Sequence, residues 1–225
     1  RVLFRSFSTH VDSDNEESIL MHIVQYCCSR VLHVVLQTWS ATECLSTHQD
    51  INGDTAATLV LRFSDVQSCN LLFQRWSAAD CNSRAQNKFG VTAAMNVARF
   101  GTTPLVRFVF ETWSAEECFP TALTNKNSTC LMTLIECCHN VVVHTVLQRW
   151  DPEEVNSTAR RGDGWTAAML VAKYGDRLLL ETLLRLWTPE QCAEEATANT
   201  GESLASIAFD RFGVTLEQLR AHASA

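Results

Sequence analysis

The sequence predicts an all-α fold of about six stacked helix-turn-helix units, and three counted series carry that prediction. Trp39, Trp76, Trp113, Trp150 and Trp187 recur at a constant interval of 37 residues. The same interval relates the hydroxyl residues Ser18, Thr55, Thr92, Thr129, Thr166 and Ser203. All four methionines, Met21, Met95, Met132 and Met169, lie three residues after members of that second series. Self-similarity at a fixed period marks units that cannot bury their own apolar face and therefore stack into an array.

Within a unit the first element is clearest in TAAMNVARFG from Thr92 and TAAMLVAKYG from Thr166, each with Gly two residues before the Thr. A hydroxyl cap, a run of good helix formers and a terminal Gly predict one short helix. A second helix follows. Apolar residues stand three, four, seven and eight places before the Trp in Leu36, Val35, Leu32 and Val31, in Leu147, Val146, Val143 and Val142, and in Leu184, Leu183, Leu180 and Leu179. That spacing is an amphipathic stripe.

After each Trp comes a hydroxyl or acid, and three residues later an acid or Gln: Ser40/Glu43, Ser77/Asp80, Ser114/Glu117, Asp151/Glu154 and Thr188/Gln191. This is the pattern of a capping box, so a third and very short helix is expected there. One residue further stand Cys44, Cys81, Cys118, Val155 and Cys192. Because Val replaces Cys in one copy, a small buried apolar side chain accounts for all five. The polar segments that close each unit, such as 82–89 and 159–163, read as projecting turns or hairpins.

The pattern GxTAAMxVAxxG at Gly90–Gly101 and Gly164–Gly175 resembles the ankyrin-repeat signature GxTPLHxAAxxG. The resemblance implies that the Thr caps the inner helix, that the preceding Gly lets a finger turn, and that the following Gly separates two antiparallel helices. Ala stands in place of the Pro and Met in place of the His. Trp stands where the family usually ends its outer helix with Gly, and about four residues are inserted after it. The copy at 127–138 lacks both glycines, the one at 16–27 matches only by its apolar pattern, and the last has one extra residue before Gly213 and no Trp. The resemblance covers roughly residues 15–220. The expected organisation is an N-terminal arm at 1–14, a possible presequence remnant, followed by a single ankyrin-like repeat domain at 15–225.

Composition narrows the function classes. Of the 225 residues 46% are hydrophobic, enough for a sizeable core, yet no apolar run approaches the roughly 18 residues that span a bilayer. The net charge of −7 and the lack of any basic run longer than Arg160-Arg161 argue against a direct nucleic-acid footprint. The ten cysteines are read as reduced thiols. A first residue of Arg1 fits a processed chain or a piece of a longer precursor. Arg5-Ser6-Phe7-Ser8 resembles the processing site of a mitochondrial presequence, so a mitochondrial location is expected, with a cytoplasmic one as the alternative.

No catalytic residue, metal ligand or cofactor is expected. The Cys27-Cys28 and Cys137-Cys138 pairs lack CxxC partners, and His22, His33, His139 and His144 lie at no ligand spacing. In a stacked array the same position from successive units forms a row, and seven places after the cap stand Gln25, Arg62, Arg99, Glu136 and Lys173. The family resemblance puts this row near the concave inner-helix face, with Arg62 beside Arg99. It is either a contact strip for an acidic partner segment or a set of solvated helix ends that complement the helix dipole. Trp165, the one Trp outside the periodic set, stands near Arg160 and Arg161, as an interface anchor or as packing between fingers. The candidate partner-binding residues are therefore Arg62, Arg99, Lys173, Arg160, Arg161 and Trp165; the five periodic Trp and four Met are repeat core.

These observations predict a non-catalytic scaffold or adaptor that binds another polypeptide as part of a larger complex. The alternative is a structural accessory subunit of a mitochondrial ribonucleoprotein or respiratory-chain assembly. A cysteine-dependent enzyme or redox sensor would rest on the two cysteine pairs alone.

Overall fold

In a computed structural model of the chain, the structure describes residues 11–12, 14–137 and 139–223. Most of the expected N-terminal arm, including the Arg5-x-Phe7-Ser8 segment, and Cys138 lie outside the described residues. Thirteen helices form among the described residues, with isolated bridges such as Gln49 with Thr55 in place of strands. The chain divides into two compact units, Arg1–Phe119 and Pro120–Ala225.

The first unit contains α1 (Ile19–Tyr26), α2 (Ser29–Thr38), α3 (Ala56–Phe63), α4 (Val66–Arg75), α5 (Ala93–Phe100), α6 (Thr103–Thr112) and α7 (Ala115–Cys118). The second contains α8 (Cys130–Glu136), α9 (Asn140–Arg149), α10 (Ala167–Tyr174), α11 (Arg177–Leu186), α12 (Leu204–Phe212) and α13 (Leu216–Ala223). Inner helices α1, α3 and α5 stack in sequence, as do α8, α10 and α12; outer helices follow the same order within each unit.

Every hydroxyl of the 37-residue series is the N-cap of an inner helix. Thr92 Oγ1 accepts from Met95 N at 3.3 Å, Thr129 from Met132 at 3.2 Å and Thr166 from Met169 at 3.3 Å. The methionine series is thus the third helical residue, its amide tied to the cap and its side chain turned into the core. Inner helices end within about two turns; the next residue is extended at Cys27, Ser64, Gly101 and Gly175 and left-handed at Gly213. At Gly101 and Gly175 a Cβ would sit 2.5 and 2.6 Å from the carbonyl oxygens of Val97 and Val171, so closeness rather than unusual backbone calls for Gly there. Cys27 and Ser64 fill the equivalent position with a side chain, and φ opens to −102° and −105° to fit it.

Each periodic Trp is the residue at which an outer helix stops. Its amide still donates to the carbonyl four residues back, as from Trp113 to Val109 at 2.8 Å, while its own backbone is extended. All five rings are buried, and the Phe73 and Trp113 rings meet at 5.8 Å across neighbouring outer helices.

The capping boxes form as expected, with Ser40 N donating to Glu43 at 2.8 Å and Glu43 N to Ser40 Oγ at 3.2 Å. A regular third helix follows only at Ala115–Cys118; the other copies make a hydrogen-bonded turn. A left-handed residue two places beyond the box, at Leu45, Asn82, Phe119, Asn156 and Ala193, confines every copy to one turn. Only Phe119 donates to the carbonyl four residues back, Ala115 at 3.0 Å, whereas the other four donate three residues back. The five small side chains in between, Cys44, Cys81, Cys118, Val155 and Cys192, are fully buried.

The fingers have one recurring form. Asp50, Asn87 and Thr124 each accept two backbone amides across the tip, as Asn87 Oδ1 does from Phe89 at 3.0 Å and Val91 at 3.1 Å. Two residues before the cap the chain turns left-handed at Glu16, Gly53, Gly90, Asn127, Gly164 and Gly201, so the copies without Gly keep the geometry with Glu and Asn. Successive fingers are tied by main-chain bonds, Lys88 N to Asn52 O at 2.7 Å in the first unit and Asn199 N to Asp163 O at 2.9 Å in the second.

Candidate protein-binding face

The inner helices carry the candidate row in a simple way. The residue before the cap and the residue seven after it lie eight apart, about 12 Å of helix, and a long side chain reaches back across that span. Gln25 Nε2 donates to Glu17 at 2.8 Å, Arg62 Nη1 to Asp54 at 3.0 Å, and the Lys173 ammonium lies 4.1 Å over the Trp165 ring. Where the partner position holds Val91, Arg99 has no carboxylate to meet; its guanidinium stacks 5.6 Å over the exposed Phe100 ring.

Several sequence-derived candidates are therefore engaged within the chain. Asp54 is buried and takes Arg62, Asn87 Nδ2 at 2.9 Å and Thr58 Oγ1 at 3.3 Å, so the Arg62 pair is part of the finger base. Arg161 pairs with Glu136 of the same row and with Asp163 at 2.9 Å. Trp165 is only 6% exposed, packed beneath Lys173 rather than projecting. Arg160 and Arg99 are exposed. Arg62 and Arg99 stand on the adjacent inner helices α3 and α5, as expected, whereas Arg160, Arg161, Trp165 and Lys173 belong to the second unit.

Other arginines serve helix ends. Arg75 donates to the Leu36 carbonyl at the end of α2, and Arg211 to the carbonyls of Ala172, Lys173 and Gly175 at 2.6 to 2.8 Å at the end of α10. Arg220 reaches the Leu184 carbonyl at 2.7 Å and also pairs with Glu194. Cations at carbonyl ends satisfy acceptors that the helix leaves open and complement its dipole.

What remains facing solvent is a row that the repeat pattern did not single out. One place beyond the cation row stand Tyr26, Phe63 and Phe100, at the same 37-residue interval, and they are 66%, 55% and 48% exposed. Tyr174 holds the position in the second unit and is also exposed. A large aromatic placed in water at the same register in three successive repeats of one unit is an apolar strip, touched within the chain by His22 at 4.6 Å from Tyr26, Arg62 at 5.1 Å over Phe63 and Arg99 at 5.6 Å over Phe100. Two pockets open between the helix corners beside it. One, of about 260 Å³, lies between the first and second repeats; the other, of about 40 Å³, lies between the second and third.

The thiols divide sharply. Burial pushes Cys44 and Cys192 up to about 12 and Cys69 to about 11, and raises Cys81 further, so these stay protonated and poorly nucleophilic. Cys27 and Cys28 are exposed at the corner between α1 and α2. Among the described residues no cluster of three or more His, Cys, Asp or Glu side chains is placed to hold a metal ion, and no helix is long and apolar enough to cross a membrane. His33 bonds the helix-capping Asp65 at 3.2 Å, and His48 the Glu16 carbonyl at 2.7 Å.

Comparison with known proteins gives the class. No protein-family model matches the chain, and no curated protein matches it by sequence. Solved structures do match. The ankyrin repeat domain of Bcl-3, described as a unique member of the IkappaB protein family, is 18% identical with a TM-score of 0.57, over 97% of this chain and 89% of that one. An ankyrin repeat domain from Acinetobacter baumannii AYE is 16% identical with a TM-score of 0.59, over 92% of this chain and 97% of its own. A further ankyrin repeat protein is 14% identical with a TM-score of 0.51, over 84% and 96%. The fold of the chain is the ankyrin-repeat fold, carried by a 37-residue unit with a Trp at the end of each complete outer helix.

Proposed function

We propose that the chain is a protein-interaction scaffold that holds a partner polypeptide against the inner helices of its first unit. The observation that carries this reading is the row Tyr26, Phe63 and Phe100, kept in solvent at the end of three successive inner helices while the surrounding ion pairs are satisfied internally. Burying such rings against a partner is worth roughly 25 cal/mol per Å² of apolar surface, which gives the row a reason to exist. The ankyrin fold supports the same reading, since its exposed rows are interaction surfaces. Arg99 belongs to this face; Arg160, with Lys173 above Trp165, is the corresponding proposal for the second unit.

The test is purification of the tagged full-length protein from its native cells, with mass spectrometry of co-purifying chains. A stoichiometric partner is expected. Recovery of the chain alone, as a monomer, under conditions that preserve weak complexes would sink the reading. Membership of a mitochondrial assembly is a narrower proposal that rests on Arg5-x-Phe7-Ser8 alone, and fractionation of the same tagged protein decides it.

A further inference from the structure

The aromatic row and its two pockets specify a kind of partner. Both pockets are built from the same register positions, one repeat apart. The larger is floored by Val24 and Leu32 and walled by Phe63; the smaller is floored by Leu61 and Cys69 and walled by Phe100. Ser64 lines both, and its hydroxyl is buried without a hydrogen-bond partner. A buried hydroxyl left unpaired costs about 1 to 3 kcal/mol, so it is a donor in search of an acceptor at the ridge between the two depressions.

Spacing and free backbone carbonyls together select the conformation. Stacked helices lie about 8–10 Å apart, so the pockets recur at that pitch. An extended β-strand presents one face every second residue, at about 6.6 Å or about 13 Å, and misses the pitch. A polyproline II helix presents one face every third residue, at about 3.1 Å per residue, and so repeats at about 9.3 Å. An α-helix repeats one face every seven residues, about 10.5 Å, but its carbonyls are bonded within the helix, whereas a polyproline II backbone makes no internal hydrogen bonds and offers its carbonyls to a donor such as Ser64 Oγ.

Charge narrows the choice further. The cations exposed around the strip are Arg30, Arg62 and Arg99, in a chain whose net charge is −7. The carboxylate at the rim of the larger pocket, Asp65, already accepts from Ser68 N at 2.8 Å and meets His33 at 3.2 Å. Arg62 is held by Asp54, whereas Arg99, above Phe100, has no carboxylate beside it among the described residues.

We infer that the first unit binds a polyproline II segment of a partner protein, with a large apolar side chain in the pocket beside Phe63, a small one three residues away beside Phe100, and an acidic residue meeting Arg99. This rests on the scaffold reading above and adds the conformation, spacing and charge of what is held. The volumes set the order of the pair. About 260 Å³ takes a leucine or larger, whereas about 40 Å³ takes a methyl group or the edge of a proline ring.

The test is selection of a phage-displayed library of random dodecapeptides on the full chain, followed by fluorescence anisotropy of the enriched peptides. Enriched sequences should carry apolar residues three apart, proline around them and an acid beyond the smaller one. F63A/F100A should weaken their binding at least tenfold with a cooperative thermal melt lowered only slightly, because about half of each ring is in solvent. S64A should weaken binding while leaving the free protein at least as stable as before, because the hydroxyl it removes is unpaired in the free protein; a structural hydroxyl would instead lower stability. R99E should weaken acidic peptides about fivefold. No enrichment, an apolar pair four or seven apart as in a strand or an α-helix, or equal affinity for F63A/F100A would overturn the inference. In those cases a partner still recovered from cells would leave the scaffold reading standing.

Discussion

Gly164 and Gly201 offer a controlled test of what the finger glycines do. They occupy the same position in successive repeats of one unit, with φ of +87° and +86°. A Cβ on Gly164 would lie 2.9 Å from Ala198 Cα, 3.1 Å from Asn199 N and 3.2 Å from Thr197 O, all backbone atoms of the next finger. A Cβ on Gly201 would meet nothing within 4 Å. Gly201→Ala therefore reports left-handed strain alone, about 1–2 kcal/mol. The reduced freedom of the unfolded chain offsets about 0.4–1 kcal/mol of it. The expected loss is about 0.5–1 kcal/mol.

Gly164→Ala carries the same strain and must also push neighbouring fingers apart. The main-chain bond from Asn199 N to Asp163 O, 2.9 Å, lies in the contact that would have to open. Its loss adds about 1 kcal/mol, and the displaced packing a comparable amount. The expected total is about 2–3 kcal/mol, some 1.5–2 kcal/mol beyond Gly201→Ala. Urea unfolding monitored by far-UV circular dichroism measures both, and because both sites lie in one unit the comparison survives separate unfolding of the two units. Equal losses, or a larger loss at Gly201, would refute the argument that finger-to-finger closeness, rather than φ, fixes Gly164.

Cys28→Asp should stabilise the protein by about 1 kcal/mol, measured by the same unfolding curves, because Cys28 is an N-cap with no side-chain bond while Asp65 and Asp176 cap the equivalent helices at 2.8 Å. Asp65 itself is lowered to about 2, first by the Ser68 amide that it accepts and, more weakly, by Ser68, Ser29 and His33 side chains. A depressed carboxyl contributes stability above its unfolded value of about 3.9 and loses it as pH falls from 4 toward 2, so Asp65→Asn, which still caps, should show a shallower acid loss over that window. The effect is small, because the carboxylate is largely solvent-screened. A thiol reagent should modify Cys27 and Cys28 quickly in the native protein, and Cys44, Cys69, Cys81, Cys118, Cys130 and Cys192 only on unfolding; fast reaction of the buried set, read by mass spectrometry, would contradict their burial. Trp113→Ala should cost about 3–5 kcal/mol, and Arg99→Ala close to nothing for folding, since one ring is buried and the guanidinium is exposed.

The repeat was legible because its signals are local and punctual. A Trp that ends a helix, a hydroxyl that caps one and a Met tied to that cap each recur wherever the same backbone event recurs, so counting finds them. The left-handed positions were half legible. Gly marks them in four copies and Asn127 is a residue type that tolerates the left-handed region, but Glu16 shows no sign of it in sequence. The regular third helix formed in one copy only, because a capping box states how a helix begins and is silent about whether the residue two places beyond it bonds four residues back, as Phe119 does, or three, as in the other copies. The status of the charged row was not legible at all. Whether Arg62 is free depends on Asp54 lying within reach across two turns of helix, and whether Trp165 projects depends on Lys173 folding over it.

The aromatic row shows how a regular signal goes unread. Tyr26, Phe63 and Phe100 repeat at the same interval as the Trp series, and an aromatic at fixed period normally means core. Here two aromatic rows share one period and differ in environment: the Trp ring closes the stack between outer helices, and the inner-helix ring stands in water. Register alone cannot separate them. What does so is the stripe phase, because Tyr26, Phe63 and Phe100 are each the last residue of an inner helix, one place after the polar or cationic residue and off the line set by the cap and the methionine. An aromatic held at that phase by three successive repeats gains little for the fold of its own unit beyond a contact with a neighbouring cation or His ring, and the binding of another chain is the use that its exposure leaves.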